Sequence, residues 1–306
     1  MFTKYRGEFY LILGALFFSF NGVVSTVVLQ HISPYRLVEV RCIGAFVLLF
    51  LITLVTNPAS LKATRSEIPV LLMFGMIGFA VVQIGFFVGI QRGVPLSLVL
   101  IIEFTSPIWI VLWIKYVRKL AVPGSMWSAI ALSLVGLTLV AKLWEGLTLD
   151  PIGILGPVAS AFALSIYFLV GEKVGATRSA QSIAVWGFGV AGAVLAIAMP
   201  VWTFPFAIFT TPMNLDGSLS SFTAPGWALI LWVLVPGTIV PYLFVLGGIR
   251  RLSASTSSVM GMLEPIFAGI FAWTWLGQSW SAIQLIGGAV VLVGIYIADR
   301  ARVASV

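Results

Sequence analysis

The chain lacks most of what water-soluble chemistry relies on. Of its 306 residues only 9% are charged, one is a histidine (His31) and one is a cysteine (Cys42). One cysteine excludes an internal disulfide, and with one histidine it leaves too few ligands for a zinc site. Serine–histidine catalysis would need a histidine at depth, but His31 stands at the end of the first apolar run. No conspicuous run of glycines or carboxylates cradles a phosphate. The first apolar run follows Lys4 and Arg6 like the start of a signal peptide. It is too long for one, contains Asn21 and lacks a small-residue cleavage pattern, so it reads as a spanning helix. These absences argue against an enzyme and against a metal or other cofactor. The net charge of +7 would suggest nucleic acid in a soluble protein. Here the loops account for it, and no nucleic-acid partner is expected.

Apolar residues fill the space: 60% of the chain is hydrophobic and the mean hydropathy is +1.11, far from a soluble domain. A helix of about 20 residues covers the roughly 30 Å of a bilayer's hydrocarbon core. Ten runs of that order are present: Tyr10–Leu29, Tyr35–Val55, Pro69–Ile90, Pro95–Ile114, Gly124–Ala141, Pro151–Val170, Ala180–Pro200, Trp227–Ile249, Ser255–Leu276 and Ala282–Ala298. The expected fold is all-α, with ten transmembrane helices in a lipid bilayer. Basic residues set the orientation. Lys4, Arg6, Lys62, Arg65, Lys115, Arg118, Lys119, Lys173, Arg178, Arg250, Arg251, Arg300 and Arg302 all fall on one side. Arg36, Arg92 and Lys142 fall in loops on the other, and Arg41 falls inside the second run. The positive-inside rule then places both termini in the cytoplasm.

The chain also repeats itself. A shift of 158 residues lays Pro107 on Pro265, Arg92 on Arg250, Gly89 on Gly247, Ala131 on Ala289 and Gly136 on Gly294. A shift of 142 aligns Ile12-Leu13-Gly14 with Ile154-Leu155-Gly156. The expected units are 1–145 and 146–306, each with five spans. Because five is odd, the second unit enters from the opposite side, giving two five-helix inverted repeats. In such architectures the site lies between the repeats near the midplane and opens to alternate sides.

Two partner spans share a flaw. Thr256–Leu276 carries Glu264 and Pro265 at mid-depth, and Pro95–Ile114 carries Glu103 and Pro107. A carboxylate in hydrocarbon is costly, and proline removes a backbone donor and kinks a helix. Both are tolerated only against a bundle interior or a wet cavity. The register puts Ser106 opposite Glu264, and Glu103 three residues from Ser106 on the same face. If the two spans meet near the axis, both acids border one cavity. There they resist joint ionisation, which offers a route to proton coupling.

The candidate gating hinges are Pro107 and Pro265, with Pro236 and Pro241 in the eighth span. Candidate substrate contacts are Glu264 for an ammonium, Glu103, Ser106, Asn21 and Gln83. The aromatics Phe79, Trp109, Tyr167 and Tyr242 fit stacking on a substrate, and each also fits plain packing. Arg41 lies roughly 9 Å into its helix with Glu39 on nearly the opposite face, so it needs another partner or must snorkel; structural anchoring is favoured over binding a substrate carboxylate. Trp144, Trp202, Trp227, Trp275 and Trp280 read as an interfacial belt. The small faces Ala129/Ser133/Gly136 and Gly287/Gly294 read as helix packing or a dimer seam. Val201–Pro225 has no Lys or Arg and is expected to lie along the interface.

At this point the residues resemble a known family. Pro34 with Arg41-Cys42-Ile43-Gly44-Ala45, then Leu263-Glu264-Pro265-Ile266-Phe267-Ala268 with Leu276-Gly277, then Gln284 to Ala289 with Gly294, resemble signatures of the drug/metabolite transporter superfamily, EamA type. Gln278 stands where that family often has a glutamate. Within it the chain is most similar to the YddG-like aromatic amino acid exporters. The resemblance implies a substrate cavity among helices 1, 3, 4, 6, 8 and 9. It also implies export of small amphipathic metabolites, aromatic amino acids first, across a bacterial inner membrane. Relatives that move cysteine, threonine, purines or drugs keep those substrates open. A passive pore is the rival reading. Proton coupling and monomer or dimer state are left open.

Overall fold

The protein is described from a computed structural model, which defines residues 5–94, 96–141, 151–277 and 281–301. In lipid every backbone N–H and C=O must be satisfied within the chain, so the apolar runs fold as helices. They are α1 (Arg6–Val28), α2 (Pro34–Thr56), α3 (Ile68–Gln91), α4 in two pieces (α4a, Leu96–Glu103; α4b, Ser106–Tyr116) and α5 (Gly124–Ala141). The second set is α6 (Pro151–Gly175), α7 (Ala180–Ala198), α8 (Gly226–Ile249), α9 in two pieces (α9a, Ala254–Gly261; α9b, Glu264–Leu276) and α10 (Ala282–Arg300). Eight of these are long and apolar enough to span on that count alone. The shorter α5 and the broken α9 complete the ten. Trp144, Gln278, Trp280 and the boundary between the repeats at 145/146 lie outside the described residues.

Helix starts follow local rules. Ser33, Ser179 and Ser253 each accept a backbone N–H from three residues on, and Ser281 forms a capping box with Gln284. Gly277 ends α9b in the left-handed conformation that glycine adopts without strain.

Packing follows the duplication. Helix α3 packs on α6 as α8 packs on α1, and α4 packs on α6 as α9 packs on α1. Helices α2 and α7, and α5 and α10, pair with each other. Exchanging the two sets of five interchanges the first contacts in pairs and returns the last two to themselves, as a pseudo-twofold axis requires. The α5–α10 pair settles the small-residue faces as a seam inside the chain. A Cβ on Gly136 would lie 2.6 Å from the Gly287 carbonyl oxygen, and one on Gly287 would lie 2.7 Å from that of Gly136. The backbones meet because neither residue has a side chain.

The breaks obey the same register. Helix α4a ends at Glu103 and α9a at Gly261, while α4b starts at Ser106 and α9b at Glu264. Both pairs are 158 residues apart. Pro107 and Pro265 stand second in their half-helices, where a missing N–H costs nothing. Helices α3 and α8 each contain a π-helical stretch, Phe74–Val81 and Val235–Ile239. The second falls on 77–81 under the same shift. Such wide turns often mark functional sites.

The segment 201–225 is more organised than an interfacial ribbon. It forms a small antiparallel pair, β1 (Pro212–Asn214) with β2 (Thr223–Pro225). Gln30 at the end of α1 donates to Asp216 (2.9 Å), and the Trp275 indole of α9b donates to the Leu215 carbonyl (2.7 Å). Arg36 pairs with Glu39 (2.6 Å) and donates to Thr203 and to the Met199 carbonyl. The segment thus caps α1, α2 and α9.

On the opposite face, where α1 begins, Arg178 joins Glu67 and the Lys62 carbonyl. Hydrogen bonds from Arg178, and next from Thr64, hold the Glu67 carboxyl down to about 2. Arg118 of the first repeat pairs with Glu172 of α6 (2.8 Å), which also accepts the Ala254 N–H at the start of α9a (3.2 Å).

Candidate functional site

Between the two repeats lies a cavity of about 110 Å³, several times the ~10–15 Å³ that one water needs. Residues from α1, α2, α3, α4, α6, α8 and α9 line it. All six helices implied by the family resemblance contribute, and α2 is added to them.

The lining brings Asn21, Gln83, Glu103, Tyr167, Tyr242 and Glu264 together. The two carboxylates sit at the two breaks and differ in their surroundings. Glu103, at the end of α4a, accepts a hydrogen bond from Ser160 of α6, whose hydroxyl also contacts the Val82 carbonyl of α3 (2.8 Å). Glu264, at the start of α9b, makes no side-chain hydrogen bond to the described residues and stands within electrostatic reach of Glu103 and Arg41.

Serines from the opposite repeat pin both breaks. Ser19 of α1 contacts the Glu264 carbonyl (2.7 Å) and its own Ala15 carbonyl (2.6 Å). Ser165 of α6 contacts the Ser106 carbonyl (3.1 Å) and its own Ala161 carbonyl (2.8 Å). Each broken helix is therefore fastened, at the first residue of its second half, to the first helix of the other repeat.

Several lining groups have polar atoms with no partner among the described residues: Asn21 Oδ1, Gln83 Oε1, the Tyr167 hydroxyl and the Ser257 hydroxyl. All four residues are at least nine-tenths buried. Unpaired buried polar atoms cost about 1–3 kcal/mol each, and a ligand that supplies partners recovers that cost. The Gln83 amide meanwhile donates to the Phe79 carbonyl (3.0 Å) and contacts Cys42 Sγ (3.6 Å), which fixes its orientation.

The aromatic wall is built in two layers. Tyr242 and Tyr167 line the cavity with Phe18, Phe86 and Phe87. Phe79 stands behind them and does not line the cavity, stacking on Tyr242 at 4.9 Å and meeting Tyr167 edge-on at 5.7 Å. Two other candidates also lie elsewhere. Trp109 is 39% exposed on the outer surface, against Phe162 at 4.4 Å. Ser106 is fully buried beside the break without bordering the cavity.

Arg41 does not snorkel. It is 3% exposed, lines the cavity and lies over Phe87 at 5.0 Å. Its Nε donates to Thr238 (2.8 Å) and its Nη2 to the Gly237 carbonyl (3.3 Å), both in the π-stretch of α8. The reason is local: an α-helical Gly237 carbonyl would bond the N–H of residue 241, and Pro241 has none. Arg41 supplies the missing donor. Pro236 lies in the same stretch, and Asn21 packs so closely on Gly237 that a Cβ there would collide with its side-chain oxygen. Ser160 and Thr238 gave no signal in the sequence, because lone hydroxyl residues recur throughout apolar helices.

A multi-pass chain of two repeats, broken at mid-depth around a charged and aromatic cavity, has the build of a membrane transporter. The chain belongs to the EamA-like transporter family of the drug/metabolite transporter superfamily; that family's model matches it twice, over residues 5–142 and 151–298. It is a transporter and not an enzyme. It is 25% identical to the uncharacterized transporter YdfC of Bacillus subtilis over 87% of this chain and 80% of that one. It is 22% identical to the uncharacterized inner membrane transporter YicL of Salmonella typhimurium over 98% of both. With the threonine/homoserine exporter RhtA of Escherichia coli K12 it shares 24% identity over 77% of this chain and 72% of the exporter. A crystal structure aligns with a TM-score of 0.74 at 15% identity over 96% of each chain, a likeness of fold.

Proposed function

We infer that the protein exports amphipathic amino acids, aromatic ones foremost, across a bacterial inner membrane by alternating access. The observation that carries this reading is the cavity itself. It combines the Glu264 carboxylate, the Arg41 guanidinium and an aromatic wall in a space that both repeats share. An ammonium, a carboxylate and an apolar ring are the three parts such a substrate presents. The test is counterflow in proteoliposomes across a panel of amino acids. Saturable exchange of phenylalanine, tyrosine or tryptophan supports the reading, and flux that neither saturates nor shows counterflow replaces it with a pore. The likeness to the threonine/homoserine exporter favours a second reading, small hydroxy amino acids, which the same panel separates.

Both termini lie in the cytoplasm on this reading, from the bias of basic residues. A reporter active only in the cytoplasm should work when inserted near Ala63 and fail near Asp216. Activity at Asp216 would overturn the orientation.

The breaks act as hinges in the same scheme. Replacing Pro107 or Pro265 with alanine restores a backbone donor at each break and favours a continuous helix. Counterflow should slow several-fold at unchanged expression, and undiminished turnover in both variants removes the hinge role.

A further inference from the structure

We propose that Arg41 is a carboxylate-binding residue of the cavity, so that the site takes compounds pairing an apolar or aromatic body with a carboxylate. This rests on the cavity's being the transport site, and it adds which end of the substrate faces α2.

A guanidinium carries five N–H donors in a planar fork, and the bonds of Arg41 to Thr238 and Gly237 use one edge, Nε and Nη2. Among the described residues nothing accepts from Nη1. The side chain is nonetheless 3% exposed, sits over the Phe87 ring and borders the cavity. A guanidinium placed only to serve the Gly237 carbonyl would have no reason to leave half its fork toward an open space. A carboxylate oxygen at Nη1 completes it with a charge-assisted bond. Glu39, two residues away, is no substitute: its Oε2 pairs with Arg36 (2.6 Å), and its Oε1 has no partner among the described residues, Arg41 included. Glu264 and Glu103 line the same cavity, with Glu264 in electrostatic reach of Arg41. One cavity thus holds a guanidinium and two carboxyl groups, with Tyr167, Tyr242 and Phe87 in its wall. The free edge takes the ligand while the bonded edge holds the π-stretch of α8, so carboxylate binding acts directly on the helix where Pro236 and Pro241 lie.

The experiment is calorimetric titration of the purified full chain with three probes: 3-phenylpropionate, which has a carboxylate and no ammonium; phenethylamine, which has the reverse; and phenylalanine. For Arg41→Gln the affinity for 3-phenylpropionate should fall about tenfold to a hundredfold, the loss of one charge-assisted bond. That for phenethylamine should stay within about twofold, as ordinary for a contact not made. Equal losses for both probes, no change in either, or no binding of 3-phenylpropionate by the unaltered protein would each overturn the proposal. Should Arg41→Gln not fold, Arg41→Lys carries the test with the same signs and a smaller loss. Thr238→Val is the control for a structural role. It removes the Nε bond and leaves Nη1, so the ratio of carboxylate to amine affinity should stay that of the unaltered protein. If Thr238→Val instead reproduces the Arg41 variants, Arg41 serves only to hold α8. Arg41-dependent binding of 3-phenylpropionate without amino acid counterflow would keep this site and remove amino acid export.

Discussion

Glu264→Gln is expected to raise the half-saturation concentration for an amino acid by about tenfold to a hundredfold and to flatten its dependence on pH. A hydrogen bond to a charged group is worth roughly 1.5–3 kcal/mol, and 1.4 kcal/mol is a factor of ten. The Glu264 carboxylate is the group to lose it, because among the described residues no hydrogen bond occupies it where it borders the cavity. Glu103 is committed otherwise: it contacts the Ser160 hydroxyl of α6, which it shares with the Val82 carbonyl of α3. Glu103→Gln should therefore change affinity little and chiefly move the pH optimum, since it alters the charge that Glu264 senses across the cavity. Counterflow measured at several pH values in both variants distinguishes them. Normal folding with unchanged affinity and pH profile in Glu264→Gln would leave this residue a structural role only.

The sequence showed more of the fold than of the site, and the reason is physical. Proline and carboxylate are so unwelcome in hydrocarbon that Pro107, Pro265, Glu103 and Glu264 announced the two breaks, and the shift of 158 residues paired them to the residue. Faces were harder to read. A lipid-facing surface and a protein-facing surface are both apolar, so the helical position of Trp109 did not reveal that it points outward against Phe162. Arg41 illustrates a different limit. Its depth and its opposition to Glu39 were legible, but its partner is a carbonyl freed by Pro241, two hundred positions along the chain. The π-stretches leave no composition of their own. Their shared register emerges only when the backbone of α3 is laid on that of α8. The serine pins at Ser19 and Ser165 were equally hidden, since the two sit one turn out of register under the 142-residue shift that aligns their helices.

One methyl group placed at Gly85 should cost more than the same methyl placed at Gly171, although both glycines lie in long spanning helices. A Cβ on Gly85 would collide with the Gly156 carbonyl oxygen and lie 3.1 Å from both the backbone nitrogen and the Cβ of Ser160. Backbone stands on the far side of the contact, so no rotamer can yield and α3 must move away from α6. That displacement pulls at the Ser160 hydroxyl, which the Val82 carbonyl and the Glu103 carboxyl group share. A Cβ on Gly171 meets Phe74 and Ile249 at 3.6–3.7 Å, an ordinary contact. Overpacking a tight interface costs about 1–3 kcal/mol, whereas glycine to alanine in a helix with room is neutral or gains up to about 1 kcal/mol. Gly85→Ala should therefore unfold at a clearly lower temperature or detergent concentration than the unaltered protein, and transport should fall with it because Glu103 is displaced. Gly171→Ala should match or exceed the unaltered protein in both. Equal stability of the two variants would mean that α3 and α6 do not meet backbone to backbone at Gly85. The cavity wall they form would then need another account.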